Sequence, residues 1–316
     1  YNTAEFISET LDSVFAQTFT DFEIFVVNDA APDTSQLIEV LKPYKEKIIF
    51  IDKSENEGVC VARNLAALEA RGDYIAFVDA DDIWFPNYLQ EQVEFLEANN
   101  YDLVFAVAKL FGVSSQAGKT LLPFNPPRGE VTRSMFIEGR CLILPSGTLV
   151  RRRDLLAVGG FDPQVTRTED FDLYMRMIFR GTRFGCLGKV LFKFRLRPGS
   201  GSGDLRQRNE RCINVWRILQ RKLEFTEEEN RIIERHIEKE EAALLRSKGK
   251  IYLNQGNWEE AAAAFRQARQ KAEKLGLPLV HKLKLSAILM MLSISPGLLR
   301  RLFQFIRSSE VEYIPN

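Results

Sequence analysis

Apolar runs and helical periodicities alternate along the first hundred residues. The stretches "DFEIFVVND" (21–29), "KIIFIDK" (47–53) and "YIAFVDADD" (74–82) predict strands, while "TSQLIEVLKPY" (34–44), "GVCVARNLAALEARG" (58–72) and "PNYLQEQVEFLEANN" (86–100) carry helical spacing. The opening residues, "YNTAEFISETLDSVFAQT", predict a turn entering an amphipathic helix with Phe6, Ile7, Leu11, Val14 and Phe15 on one side. Strands alternating with helices predict an α/β fold whose parallel sheet carries helices on both faces. A strand normally precedes such an opening helix, so the sequence is expected to begin inside this domain, with the first strand missing. Farther on, "LYMRMIFRG" (173–181) reads as helix and "VLFKFRLR" (190–197) as strand. Beyond about residue 204 the text turns wholly helical, so the expected organisation is an α/β domain over 1–204 and an α-helical region over 205–316.

The composition, 45% hydrophobic and 27% charged over 316 residues, is that of an ordinary globular chain. The 43 basic and 43 acidic residues cancel, which argues against a general polycation for nucleic acid. Cys60, Cys141, Cys186 and Cys212 lie far apart without a CxxC pair, as expected of buried thiols in a reducing compartment. No run reaches the roughly 20 apolar residues that cross a bilayer, and the opening residues lack a basic start and apolar core. The expectation is a cytoplasmic protein.

Candidate chemistry concentrates where the predicted strands end, because ligands of open α/β sheets gather at the carboxyl ends of the strands. Asn28 and Asp29 close one strand and Asp79, Asp81 and Asp82 another, so the two clusters are expected to face one crevice. On extended backbone Asp79 and Asp81 point the same way and are expected to share one hard divalent cation, Mn2+ or Mg2+. Helix capping accounts for one of these carboxylates but not for three. A calcium loop starting at Asp79 fails, because its sixth position is Trp84 rather than glycine and its twelfth is Gln90 rather than glutamate. No GxGxxG follows the early strands and no GxxxxGK[ST] is present; "PGSGSGD" (198–204) reads as a loop rather than a pyrophosphate cradle.

In that order, "YNTAEFISETLDSVFAQTFTDFEIFVVNDAAPDT", "NEGVCVARNLAALEARGDYIAFVDADDIW" and "GGFDPQVTRTEDFDLYMRM" resemble family 2 glycosyltransferases with the GT-A fold, over roughly residues 1–200. The resemblance implies a Rossmann-like nucleotide-sugar-binding sheet and transfer of a sugar from a nucleotide-diphosphate donor, usually with inversion. Asp29 then matches the aspartate that contacts the donor base, and Arg63 a position near base and diphosphate. Asp79 and Asp81 match the DxD motif, whose last aspartate binds the metal while the first lies near the donor ribose. Asp170 matches the catalytic base. Two departures stand out: Ala30 and Ala31 where glycine and serine are common, and Arg197 in "FRLRPGS" where a histidine is common. Arginine cannot ligate a cation and would pair with phosphate oxygens, unless it is simply solvated.

An attacking hydroxyl needs a base within hydrogen-bond reach, and His236 and His281 lie outside the catalytic region, which leaves a carboxylate. Glu169, Asp170 and Asp172 sit where a helix begins; capping is the plain alternative for any one of them. In the resemblance the segment 124–162 is acceptor territory; Ser146 and Thr148 within it, and Trp84 before it, either face a saccharide or lipid-linked acceptor or are packing residues. In the helical region "GKIYLNQGNWEEAAAAFRQA" (249–268) resembles one tetratricopeptide-like hairpin turning at Gly256 and Asn257, and reads equally as a small helical cap. The end, "LVHKLKLSAILMMLSISPGLLRRLFQFIRS", mixes apolar residues with Lys282, Lys284, Arg300, Arg301 and Arg307, as a buried helix pair or a peripheral membrane or protein contact would. Another nucleotide-dependent transferase and a catalytically degenerate scaffold remain as alternatives.

Overall fold

The computed structural model describes residues 2–113, 116–122, 128–197 and 205–307, in two compact units whose described parts meet the sequence at 197 and 205. The loop read at 198–204 lies outside the described residues. In the first unit α1 (Ile7–Phe15), β1 (Phe25–Asn28), α2 (Thr34–Leu41), β2 (Ile49–Asp52), α3 (Val59–Glu69) and β3 (Tyr74–Ala76) follow the predicted alternation. Then come β4 (Ile83–Trp84), α4 (Tyr88–Asn99), β5 (Leu103–Gly112), β6 (Gly129–Val131), α5 (Arg133–Ile137), β7 (Thr148–Arg151), α6 (Arg152–Ala157), α7 (Glu169–Phe179) and β8 (Phe184–Leu196).

The uniformly parallel sheet expected from the alternation is not what forms. β1 and β2 make a parallel pair, with Asn28 opposite Asp52, and the rest build a separate six-stranded mixed sheet in the order β3-β7-β5-β8-β4, with β6 beside β8. Within it only β5 and β8 run parallel; β7 lies antiparallel between β3 and β5. Apolar runs locate strands without giving their direction, and β7 enters the sheet reversed. The central strand explains itself by burial: Leu103 to Ala108 are all buried, packed with Phe184, Phe192 and helix α4. Gly147 sits where a Cβ would lie 2.7 Å from Phe192 and 2.9 Å from the Ala106 carbonyl, so only glycine lets this chain segment approach the sheet. A second core, of Ala4, Ile7, Leu11, Leu37 and Leu41, joins α1 and α2 to the β1-β2 pair.

The third predicted strand also ends early. It stops at Ala76, and the Asp82 N–H donates to the Asp79 carbonyl at 2.9 Å, closing a turn. Carboxylates stacked along one face of a strand repel, whereas a turn lets each reach a different cation.

The second unit comprises α8 (Leu205–Lys222), α9 (Glu227–Gln255), α10 (Trp258–Lys274), α11 (Leu279–Ile294) and α12 (Pro296–Arg307). Helix α9 starts on a reciprocal Thr226/Glu229 capping box and stops at Gly256 in the left-handed conformation. Ion pairs Glu241–Lys271 and Glu238–Lys274 fix α9 and α10 as an antiparallel hairpin around Leu253, Ala261, Phe265, Ala268 and Ala272. Among the described residues no helix is long and apolar enough to cross a membrane.

Candidate active site

Asp29 follows β1 and turns toward the start of α3. Its carboxylate accepts from the Gly58 N–H at 2.7 Å, the Glu57 N–H at 3.1 Å and the Lys53 ammonium, and is about 10% exposed. Burial disfavours its charge, but Lys53 and the two N–H groups outweigh burial and hold the carboxyl below its usual range. Asp29 therefore anchors the α3 N-terminus. Beside it the Asn28 amide bridges Thr34 and Asp52, at 2.8 and 2.7 Å, and Ala30 is held in the left-handed region at φ 47°.

One turn into α3, Arg63 connects two parts of the chain, Asp79 and Glu169, that lie 90 residues apart in sequence. Its guanidinium donates to Asp79 Oδ1 at 2.8 Å and to Glu169 Oε1 at 3.1 Å, with the Phe161 ring 5.2 Å away. Burial works against its charge, yet Asp79 and Glu169 more than restore it and hold its pKa above the usual value. Asn64, the next residue, brackets Phe161 with two hydrogen bonds, Nδ2 to the Phe161 carbonyl at 2.7 Å and the Phe161 N–H to Oδ1 at 2.8 Å. The platform under Arg63 is thus fixed by its own helix.

The three aspartates of the turn part company. Asp79 keeps about 38% of its side chain exposed, and its N–H donates to Ser146 Oγ at 3.0 Å. Asp81 accepts from Arg197 Nε at 2.7 Å and, through its carbonyl, from Arg195 Nε at 2.8 Å. Asp82 is buried, and one of its oxygens accepts the Arg195 N–H at 2.9 Å. Burial, reinforced by Asp79, pushes the Asp82 carboxyl well above its usual range. Asp79 and Asp81 are thus engaged by different arginines, Arg63 and Arg197.

Asp170 lies in the first turn of α7, partly accessible, with its Oδ1 accepting the Phe171 N–H at 2.8 Å. Burial, then the neighbouring Glu169 charge, pushes its carboxyl from 3.8 to about 7, against the Phe171 N–H and Arg63, which favour the anion. Asp172 serves the fold: fully buried, it holds Arg176 at 2.7 Å, and Arg176 in turn donates to the Val158 and Gly160 carbonyls at 2.8 and 2.7 Å. Trp84, Ser146 and Thr148 are buried too, in keeping with the packing alternative for them. Trp84 stacks on Tyr88 and donates to the Ser146 carbonyl at 2.7 Å, and Thr148 donates to the Pro145 carbonyl at 2.8 Å. Together they support the Asp79 turn from beneath.

The profile of glycosyl transferase family 2 matches residues 1–159. The chain belongs to that family. An uncharacterized glycosyltransferase of Rickettsia conorii, RC0461, is 30% identical over 234 residues, which is 72% of this chain and 38% of that protein. The chain thus spans about two fifths of that relative's length. The amylovoran biosynthesis glycosyltransferase AmsB of Erwinia amylovora is 26% identical over 64% of this chain and 69% of its own. Among solved structures, TarS 1-349 of S. aureus in complex with UDP-GlcNAc superposes with a TM-score of 0.63 at 21% identity, over 98% of this chain and 90% of that one. The mannosyltransferase PcManGT of Pyrobaculum calidifontis, in complex with GDP-Man and Mn2+, gives 0.59 at 18% identity over 92% and 78%. The family 2 domain accordingly has the GT-A fold of these neighbours.

Within this family 2 domain, Arg63, Asp79 and Glu169 form one ion-paired group beside Asp170, and Asp81 and Arg197 a second on the same turn, whereas Asp29 anchors α3. The roles of Glu169, Ser146 and Arg195 were not read from the sequence. A signal existed for Arg195: in "FRLR" it stands two residues before Arg197, hence on the same face of a strand. Hard carboxylate oxygens at Asp79 and Asp81 suit Mg2+ or Mn2+, yet among the described residues no group of three or more His, Cys, Asp or Glu could hold an ion. The donor set fits a cation held by one or two carboxylates plus donor phosphates, not a closed protein cage.

Proposed function

We propose that this protein transfers a sugar from a nucleotide-diphosphate donor to a hydroxyl of a saccharide or lipid-linked acceptor, with inversion, in polysaccharide or glycolipid assembly. The observation that carries this reading is the Arg63 bridge, which ties the Asp79 turn to Glu169 at 2.8 and 3.1 Å and so sets Asp170 beside the donor elements. The nucleotide-sugar complexes of TarS and PcManGT support the donor class, and the name of AmsB supports the pathway class.

In this reading Asp170 accepts the proton of the acceptor hydroxyl as that oxygen attacks the anomeric carbon. A carboxyl with a pKa of about 7 is matched to that task at neutral pH. The bond from the anomeric carbon to the diphosphate oxygen breaks on the opposite face, and the nucleoside diphosphate departs. Arg63 and Arg197 supply fixed positive charge where negative charge grows on the leaving group. A divalent cation held by Asp81, with Asp79, would add Lewis-acid stabilisation of that leaving group. Retention through a covalent intermediate would need a nucleophile under the sugar, and no carboxylate of the site is singled out for it.

Product analysis tests the reaction class. Incubation with UDP-, GDP- and TDP-sugars is expected to release the nucleoside diphosphate and a product of inverted anomeric configuration, read by chromatography and proton NMR. Release of the sugar 1-phosphate would instead identify nucleotidyl transfer, and absence of turnover with every donor would favour the scaffold.

The second unit supports a peripheral role. Helix α11 buries Leu285 and Leu292 in its core but leaves Leu279, Val280, Leu283, Met290 and Ile294 exposed, and residues 279–307 carry Lys282, Lys284 and several arginines without one acidic residue. An apolar face flanked by basic groups suits an anionic lipid surface, where a lipid-linked acceptor would reside.

A further inference from the structure

Arg197 occupies the oxygen that a metal would need. Its Nε lies 2.7 Å from Asp81 Oδ2, and both side chains are largely buried, at 26% and 17% exposure, so water screens the pair little. The rest of the turn holds Asp81 toward it. Arg195 grips the Asp81 carbonyl at 2.8 Å and, through its own N–H, Asp82 at 2.9 Å, while the Phe6 ring lies 4.7 Å from the Arg195 guanidinium and 5.4 Å from that of Arg197. The other DxD carboxylate is tied to Arg63, and no third His, Cys, Asp or Glu among the described residues converges on the place.

Resting on the donor site proposed above, we infer that Arg197 and a divalent cation compete for Asp81, so that the donor-free protein keeps the arginine there and admits the metal together with a diphosphate. A guanidinium has no lone pair to offer a metal, so arginine and cation exclude one another at that oxygen. Two carboxylates, each already paired, give a bare cation little to outbid a fixed guanidinium. A diphosphate changes the balance twice: it presents acceptors that match the arginine fork, and it brings negative charge that calls for a cation. The coupling is reciprocal, so a diphosphate that draws Arg197 away raises metal affinity by the same factor by which the metal raises diphosphate affinity. Apparent metal affinity in the donor-free protein scales with the fraction of Asp81 that is released.

The test needs no turnover and no nucleotide. Manganese alone is titrated into the full chain, followed by electron paramagnetic resonance of the free ion, for wild type, Arg197→Ala and Arg197→Ala combined with Asp81→Asn. Arg197→Gln covers the case in which the alanine variant does not fold. The expected result is manganese binding stronger by about tenfold or more once the guanidinium is gone, with the gain abolished by Asp81→Asn. Equal binding by wild type and the Arg197 variants, or a gain that survives Asp81→Asn, overturns the inference. Parallel titrations with uridine, guanosine and thymidine diphosphates, with and without manganese, report on the donor reading itself, which falls only if none of them binds under either condition.

Discussion

Asp170 and its surroundings make the sharpest demands on individual side chains. With a carboxyl at about 7, kcat/KM should rise about tenfold per pH unit below that value and level off above it, because only the anion accepts a proton. Asp170→Asn should lower kcat by on the order of a hundredfold or more while leaving nucleotide affinity nearly intact. The same shift has a stability consequence of opposite sign. A folded pKa above the unfolded one favours the neutral form, so its stabilising contribution is complete below about 3.8 and lost as pH rises through about 7. The inactive Asn variant should therefore melt no lower than wild type at pH 8, a result that loss of folding could not produce. Ala30, held at φ 47°, offers a second check: Ala30→Gly should stabilise by about 1 kcal/mol, or a rise in melting temperature of about 2–4 °C. At this level the sequence was informative about residue types and silent about partners. Glu169, Asp170 and Asp172 stood out together before an apolar helix, with Asp170 picked out by the family resemblance, but nothing local showed that Asp29 also holds Lys53 and the α3 N-terminus.

The elements that hold the site are joined by buried charge. Arg176 ties α7 to the Val158 and Gly160 carbonyls and to Asp172, which is fully buried. Removing one partner of such a pair leaves charge in a poorly solvating place, so Arg176→Ala should cost about 3 kcal/mol in a urea denaturation experiment, and a smaller loss would mean that α7 is held by packing alone. Helices were legible because their apolar spacing and caps are local; α9 even announces itself by Thr226 and Glu229. Strand ends and directions were not, since they depend on what lies across the sheet. The DxD stretch read as strand because its apolar residues continue to Val78, while the turn that actually forms is set by Arg63, Arg195, Arg197 and Ser146, all distant in sequence.

The two units ask for different experiments. The helical unit's exposed apolar face on α11, with basic neighbours and no acidic residue over 279–307, should bring the protein down with anionic liposomes at low salt, and Leu283→Glu should weaken that binding several-fold. Equal sedimentation with neutral and anionic vesicles, or none at all, would remove the membrane from the account. For the family 2 domain the central claim is that one crevice binds a nucleoside diphosphate and a cation through the turn at Asp79–Asp82. Its most direct test is calorimetric titration of wild type and Asp81→Ala with uridine, guanosine and thymidine diphosphates, with and without manganese. At least one nucleotide is expected to bind, manganese to strengthen that binding, and Asp81→Ala to lose the manganese-dependent part. Well-folded wild-type protein that binds none of the three would contradict the claim.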